Sequence, residues 1–327
     1  MEKAMIDYVD SLELGEIQSH ENLAVVPLFT PVKGGPVYIT MKEALESGSL
    51  LVTEVGDNGS VPELKVKNSG DKAVLLLDGE EVSGAKQNRV LNTTILIAAQ
   101  AEVIIPVSCT EAGRWRYTSR EFSDSGNIMA SEVRREKARS VSRNLANFTE
   151  YRSDQGAVWD NIAEMQTRAN VEAPTGAMSD VFESKAADLD DYIEAFTCLP
   201  EQRGMLVMVN GEVVGMDMLS RASAYEVLHP KLLRSYAMEA MLNPKKKAPK
   251  ANPKKAEAFI ASIKECEEKK YNSVGMGWDY RFEGKNLVGS ALLYRKKVVH
   301  TAFFKVDEAE KAGRISDYNT RRSYRIY

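Results

Sequence analysis

Two polar runs carry side chains that could do chemistry. The first is Glu80-Glu81-Val82-Ser83-Gly84-Ala85-Lys86-Gln87-Asn88-Arg89. Carboxylates accept from hydroxyls, and Arg holds a phosphate or carboxylate with two parallel bonds, so acids beside Lys and Arg can orient a polar, anionic ligand. Gly79 and Gly84 permit close approach of the backbone. The competing reading is an edge hairpin with solvated charges, whose salt links contribute little. Gln87, Asn88 and Arg89 directly precede Val90-Leu91, and three strong hydrogen-bonding groups against an apolar segment invite burial with partners.

The second run is Cys109-Thr110-Glu111 with Arg114-Trp115-Arg116-Tyr117. A thiol close to Glu and Arg is a nucleophile candidate if the guanidinium lowers its pKa. No histidine is near it in sequence, and a free Cys is more often a small buried hydrophobe. Arg114 and Trp115 read as ligand contacts or interface anchors, one a planar fork and the other a flat stacking face. The catalytic candidates are therefore Glu80 or Glu81 as general base, Cys109 as nucleophile, and His300, which is either a satisfied core histidine or a base. The ligand-binding set is Glu81, Lys86, Gln87, Asn88, Arg89, Glu111, Arg114 and Trp115. Trp159 reads as core, and Thr175 as the cap of the helix that follows it.

Strands must position these groups. Apolar runs at 23–29, 37–40, 50–55, 64–66, 74–77, 94–98 and 103–107 are broken by Gly, Asn, Ser and Asp clusters, as strands are. Pro27 points to a sheet edge or a bulge. Thr40 with Glu43 predicts a capped helix over 41–46, and residues 1 to about 22 read as a weakly amphipathic helix and a turn. The charged stretch from Ser131 starts a helix, followed by helices over 156–168 and around Val181 to Phe196. Asn210-Gly211 between aliphatic runs predicts a type I′ hairpin. Helices over 219–227, 230–241 and 256–269 and strands over 273–282, 287–294 and 298–304 complete the chain. The expectation is an α+β protein. Residues 1–125 form a β-rich antiparallel part, a sandwich or partly closed barrel, that carries the site. Residues 126–327 form a mixed part with a loop near 243–255, where three prolines and six lysines favour solvation over a contact with an anionic surface.

The bulk properties exclude several classes. Among 327 residues, 43% are hydrophobic and 28% charged, ordinary values for a globular chain, and a net charge of -4 speaks against nucleic acid as a partner. No apolar run approaches the ~20 residues of a membrane helix, and the amino terminus lacks the apolar stretch of a signal peptide. Three scattered cysteines fit reduced thiols and a cytoplasmic setting. The three histidines have no metal-ligand spacing, so neither a metal nor another cofactor is expected. The phosphate-loop, nucleophile-elbow, zinc-protease and Rossmann signatures are absent.

Several segments are familiar together: Leu77-Asp78-Gly79-Glu80-Glu81, Gly84-Ala85-Lys86-Gln87-Asn88-Arg89, Pro106-Val107-Ser108-Cys109 and Glu111-Ala112-Gly113-Arg114-Trp115. With Val158-Trp159-Asp160, Thr175-Gly176-Ala177-Met178, Asn210-Gly211 and His300, they resemble a prokaryotic family. This is the ARG and rhodanese-phosphatase superfamily associated protein domain, where ARG denotes ADP-ribosylglycohydrolase. The resemblance brings no established activity and no catalytic residues. It implies a setting beside ADP-ribose or nucleotide-derived metabolites, and hence a small anionic metabolite as partner. Three functions stay open: a ligand-binding or accessory protein, a hydrolase with a Glu base acting on an ADP-ribosyl substrate, and an interaction scaffold with a protein partner.

Overall fold

The computed structural model describes residues 1–56, 59–245 and 249–306. Residues 246–248 of the lysine- and proline-rich segment lie outside the described residues. The fold is α+β, and among the described residues the strands form three sheets of nine, six and three strands.

The nine-stranded sheet is antiparallel, and its apolar runs are continuous because both faces are covered. In Gly204–Val209, the side chains of Met205, Val207 and Val209 enter one core and those of Leu206 and Met208 another. Leu23–Phe29 alternates in the same way beside it. One face packs on helices Lys3–Asp10 and Pro253–Ile263 through Met5, Tyr8, Phe259 and Ile263, and the other on the helices between residues 131 and 242. Leu23–Phe29 thus joins the early part of the chain to the later hairpins.

The six-stranded sheet, in order Phe122–Ile128, Glu80–Gly84, Arg89–Leu91, Ala101–Cys109, Glu63–Asn68 and Leu50–Glu54, curves as a half-barrel. A third core lies between it and the three-stranded sheet Ile95–Ile97, Ala73–Leu76, Tyr38–Thr40. Alternation decides the sides again: Val74 and Leu76 face this core, whereas Leu75 and Leu77 face the helices. One pairing departs from the antiparallel expectation. Tyr38–Thr40 runs parallel to Ala73–Leu76, since the helix Met41–Glu46 and two further strands intervene and a hairpin is impossible.

Other boundaries differ for local reasons. Residues 1–22 hold a helix only over Lys3–Asp10, followed by short strands Glu13–Leu14 and Gln18–His20. These two strands flank Pro27, whose carbonyl accepts from Gly15 N, so its missing N–H faces the gap between them. The two helices expected over 219–241 are one, Ala222–Leu242, because Pro230 is solvent-exposed and water can satisfy the carbonyl it leaves unbonded. The helix expected over 256–269 stops at Ile263, and Glu267–Asn272 forms a charged edge strand. Strands Glu80–Gly84, Arg89–Leu91 and Phe122–Ile128 escaped the sequence reading because their polar residues break the apolar pattern.

A buried ionic network joins these layers. Arg134, on helix Ser131–Phe148, donates to both Asp217 oxygens at 2.9 and 2.7 Å and to Asp78 at 3.1 Å. Asp217 also accepts from Tyr236 at 2.7 Å and contacts His300 Nε2 at 3.2 Å, while Lys137 bonds Asp78 and the Leu91 carbonyl. Thr94 Oγ1 accepts the Asp78 amide and lies 2.9 Å from His300 Nδ1. Burial pushes the Asp217 carboxyl up, but Arg134 and His300 more than offset it and hold the group ionised. Gly79 is required twice: its φ is +86°, and a Cβ there would lie 2.9 Å from Arg134. Removing one partner of such a network leaves an uncompensated buried charge. Asp217→Asn is expected to lose about 3–5 kcal/mol in chemical denaturation, whereas Lys264→Ala, at an exposed pair with Asp10, changes stability by less than about 1 kcal/mol.

Candidate functional site

The two polar runs meet on the half-barrel sheet. Arg89 is paired with Val82 on one side and Cys109 on the other, so the ends of three strands converge where the loop 85–88 begins and the chain leaves toward Trp115. Gly84 (φ +123°) and Ala85 (φ +39°) turn the chain there, and a Cβ on Gly84 would lie 2.5 Å from Ser119.

Arg114 holds this corner closed. Its guanidinium donates to Glu111 at 2.8 Å, to the Ala85 carbonyl at 2.8 Å, and to Asn88 Oδ1 at 3.0 Å. Longer bonds reach the Arg116 and Gly84 carbonyls and Thr118. Its donors are thus spent on the protein, and it serves as a bracket for the wall. Glu111 accepts from Thr175 at 2.8 Å and from the Asn88 amide at 3.3 Å. Burial raises the Glu111 carboxyl, but the bonds from Arg114 and Thr175 more than offset it, so it stays ionised. Gln87 donates to the Glu111 carbonyl at 2.6 Å and accepts from Arg89 at 3.1 Å. Lys86 Nζ lies 5.3 Å from the Trp115 ring centre and 5.0 Å from that of Tyr117, both rings about half exposed.

Beside this wall lies an open cleft of about 610 Å³, lined among others by Ser83, Asn88, Glu111, Arg114, Ser179 and Asp180. Thr175 does not cap the helix Met178–Ser184, whose N-cap is Ala177. It bonds Glu111 instead, and the Met178 amide bonds the Thr110 carbonyl, fixing this segment to the sheet.

Seven of the eight binding candidates, Lys86, Gln87, Asn88, Arg89, Glu111, Arg114 and Trp115, fall in one neighbourhood, with Cys109 against Arg89 and Glu81 behind Thr110. Two catalytic candidates are carried away from it. Strand alternation sends Glu80 to the opposite side from Glu81, where it bonds Lys231 at 2.9 Å, and His300 belongs to the Asp217 network. Trp159 is exposed at 36% on its helix and is not core, since Val158, Ile162 and Met165 supply the buried stripe. Sequence reasoning missed Glu54, Ser179 and Asp180. Glu54 had a signal: Leu50, Val52 and Glu54 alternate onto the inner face of one strand.

Two titrations bear on chemistry. Burial pushes the Cys109 thiol up to about 11, and the Arg89 charge offsets only part of this. Burial pushes Glu81 up from 4.5 to about 7; Thr110, donating at 2.6 Å, and Ser125 oppose the rise, while Glu111 and Asp180 add to it. Among the described residues Glu81 Oε2 is buried without a hydrogen-bond partner. Among the described residues no cluster of three or more His, Cys, Asp or Glu is suited to a metal ion, and no helix is long and apolar enough to cross a membrane.

A family model described as the ARG and Rhodanese-Phosphatase-superfamily-associated Protein domain matches residues 11–304. The chain belongs to this family. The match spans all three sheets and the helices between them. Neither the curated proteins nor the solved structures compared with the chain gave a match.

These environments have measurable consequences. Between about pH 4.5 and 7 the unfolded chain has released the Glu81 proton and the native protein still holds it, so this group lowers stability as pH rises through that window. Glu81→Gln cannot titrate. Its stability relative to wild type is expected to improve across the window by on the order of 3 kcal/mol, read from denaturation curves at each pH. Cys109 is expected to resist iodoacetamide in the native protein at pH 8 and to react once unfolded, as peptide mass mapping would show.

Proposed function

We propose that this protein binds a small, hydroxyl-rich, nucleotide-derived anion of the ADP-ribose class, as a ligand-binding or accessory protein beside such metabolism. The lining of the cleft carries this reading. Two carboxylates, Glu111 and Asp180, stand with Asn88, Ser83 and Ser179 around an open volume of drug-sized dimensions. Carboxylates and amides suit the hydroxyls of ribose, and Glu111 is already oriented by Arg114 and Thr175, so little order is lost on binding. Lys86 and Arg89 supply positive charge at the adjoining corner, and the half-exposed Trp115 and Tyr117 rings offer stacking faces. The family's association with ADP-ribosylglycohydrolase, carried in its name, is context that agrees with this chemistry.

A second reading, a hydrolase, draws on Glu81. A buried carboxyl titrating near 7 is poised as a general base at neutral pH, and its neighbours Glu111 and Asp180 line the cleft.

Calorimetry with ADP-ribose, NAD and adenosine nucleotides separates these readings from none. Saturable binding of ADP-ribose is expected, weakened about tenfold by Asn88→Ala and by Asp180→Asn, each of which removes one polar contact. Wild-type protein that gives no heat with any of the three would overturn the binding reading. Release of ADP-ribose from an ADP-ribosyl ester, rising with pH through about 7 and lost in Glu81→Gln, would establish the hydrolase.

A further inference from the structure

Arg89 is fully buried, yet only part of its guanidinium is bonded. Nη1 donates to Gln87 Oε1 at 3.1 Å and to the Asn88 carbonyl at 3.4 Å, whereas among the described residues Nε and Nη2 have no hydrogen-bond partner. Among the described residues the carboxylate paired with Arg89 is that of Glu54, 3.8 Å from Nη2 and too far for a hydrogen bond. Glu54 is held elsewhere. Its Oε1 accepts the Lys86 amide at 3.3 Å, and its Oε2 is buried without a hydrogen-bond partner among the described residues. The half-exposed Trp115 ring packs 5.6 Å from the guanidinium carbon. Arg114 differs in its partners: there every nitrogen of the fork is bonded, whereas here one whole edge is open.

We propose that the Nε–Nη2 edge of Arg89 is an oxyanion subsite for a phosphoryl group, roofed by Trp115, with Glu54 as the residue that sets its selectivity. The subsite extends the ligand site proposed above and rests on that reading for the identity of the whole ligand. The two N–H groups on this edge are parallel and spaced to meet two oxygens of one phosphoryl group, a match that Lys cannot reproduce. In the absence of ligand, Glu54 balances the buried charge without filling the edge. An entering phosphoryl group meets the carboxylate as a like charge in a dry setting, so Glu54 weakens anion binding while it stabilises the unliganded protein. The Trp115 ring must shift as the anion arrives.

The test uses a Trp159→Phe, Trp278→Phe background, in which Trp115 is the sole tryptophan of the three in the chain. Both replaced rings are partly exposed, at 36% and 44%. Inorganic pyrophosphate is expected to change Trp115 fluorescence saturably, and adenosine, which lacks a phosphoryl group, to leave it unchanged. Glu54→Gln is expected to tighten pyrophosphate at least tenfold, Arg89→Gln to abolish the response, and Arg89→Lys, which keeps charge without the two-pronged edge, to weaken it at least tenfold. Circular dichroism identifies a variant that fails to fold, and Glu54→Gln and Arg89→Lys decide the matter if Arg89→Gln does. A bridging water in place of an anion site gives no saturable response, and this result, or affinity unaltered by Glu54→Gln, would overturn the subsite. If ADP-ribose still binds by calorimetry in that case, only the subsite falls. If pyrophosphate responds as expected while ADP-ribose does not bind, only the broader ligand reading falls.

Discussion

A single guanidinium, that of Arg134, sets the relation between the sheets. It is fully buried and bonded to Asp217 in the nine-stranded sheet and to Asp78 in the turn that follows the three-stranded sheet. Taking ions out of water costs several kcal/mol each, and bonds to opposite charges offset that cost. Asp217 has Arg134, Tyr236 and His300 around it, and Asp78 has Arg134, Lys137 and the Thr94 hydroxyl at its amide. The energetic demand is directional, because these bonds fix segments of the helices, the nine-stranded sheet and the turn after the three-stranded sheet.

The consequence reaches the candidate site through the chain itself. Asp78-Gly79 is the turn from which strand Glu80–Gly84 starts, and that strand carries Glu81 and delivers the loop of Lys86, Gln87 and Asn88. Gly79 has room for Arg134 only because it lacks a side chain. The network therefore orients the wall of the cleft from beneath, while Arg114 ties the same wall from above through the carbonyls of Gly84 and Ala85. Between these two saturated guanidinium groups, Arg89 and Glu81 keep buried atoms without partners among the described residues, and an incompletely bonded group beside a cleft is where binding or proton transfer has something to gain.

Several motifs that read together from the sequence serve different ends in the fold. Lys86 to Arg89 and Glu111 to Trp115 form one corner. Thr175 to Met178 closes its side, through Thr175 on Glu111 and Met178 on Thr110. Asn210-Gly211, by contrast, is a tight turn with both residues at positive φ, and His300 is a core residue of the ionic network.

The sequence by itself determined the α+β class, most strand and helix positions, the capped helix Met41–Glu46 and the Asn210-Gly211 hairpin, since these follow from apolar periodicity and local turn chemistry. It also singled out Lys86 to Arg89 and Glu111 to Trp115, because polar groups set against apolar strands need partners nearby in the chain. Tertiary structure alone decided which charges are buried. Arg134 and Lys137 sit in a helix whose composition reads as solvated; Asp217 is 83 positions from its partner Arg134, and Glu54 is 35 positions from Arg89. The partners of a buried ion come from layers brought together only when the apolar faces pack, so no local pattern records them. Strand alternation then settled what adjacency could not: Glu80 and Glu81 are neighbours in the chain, and the fold gives one to Lys231 and the other to the wall of the cleft.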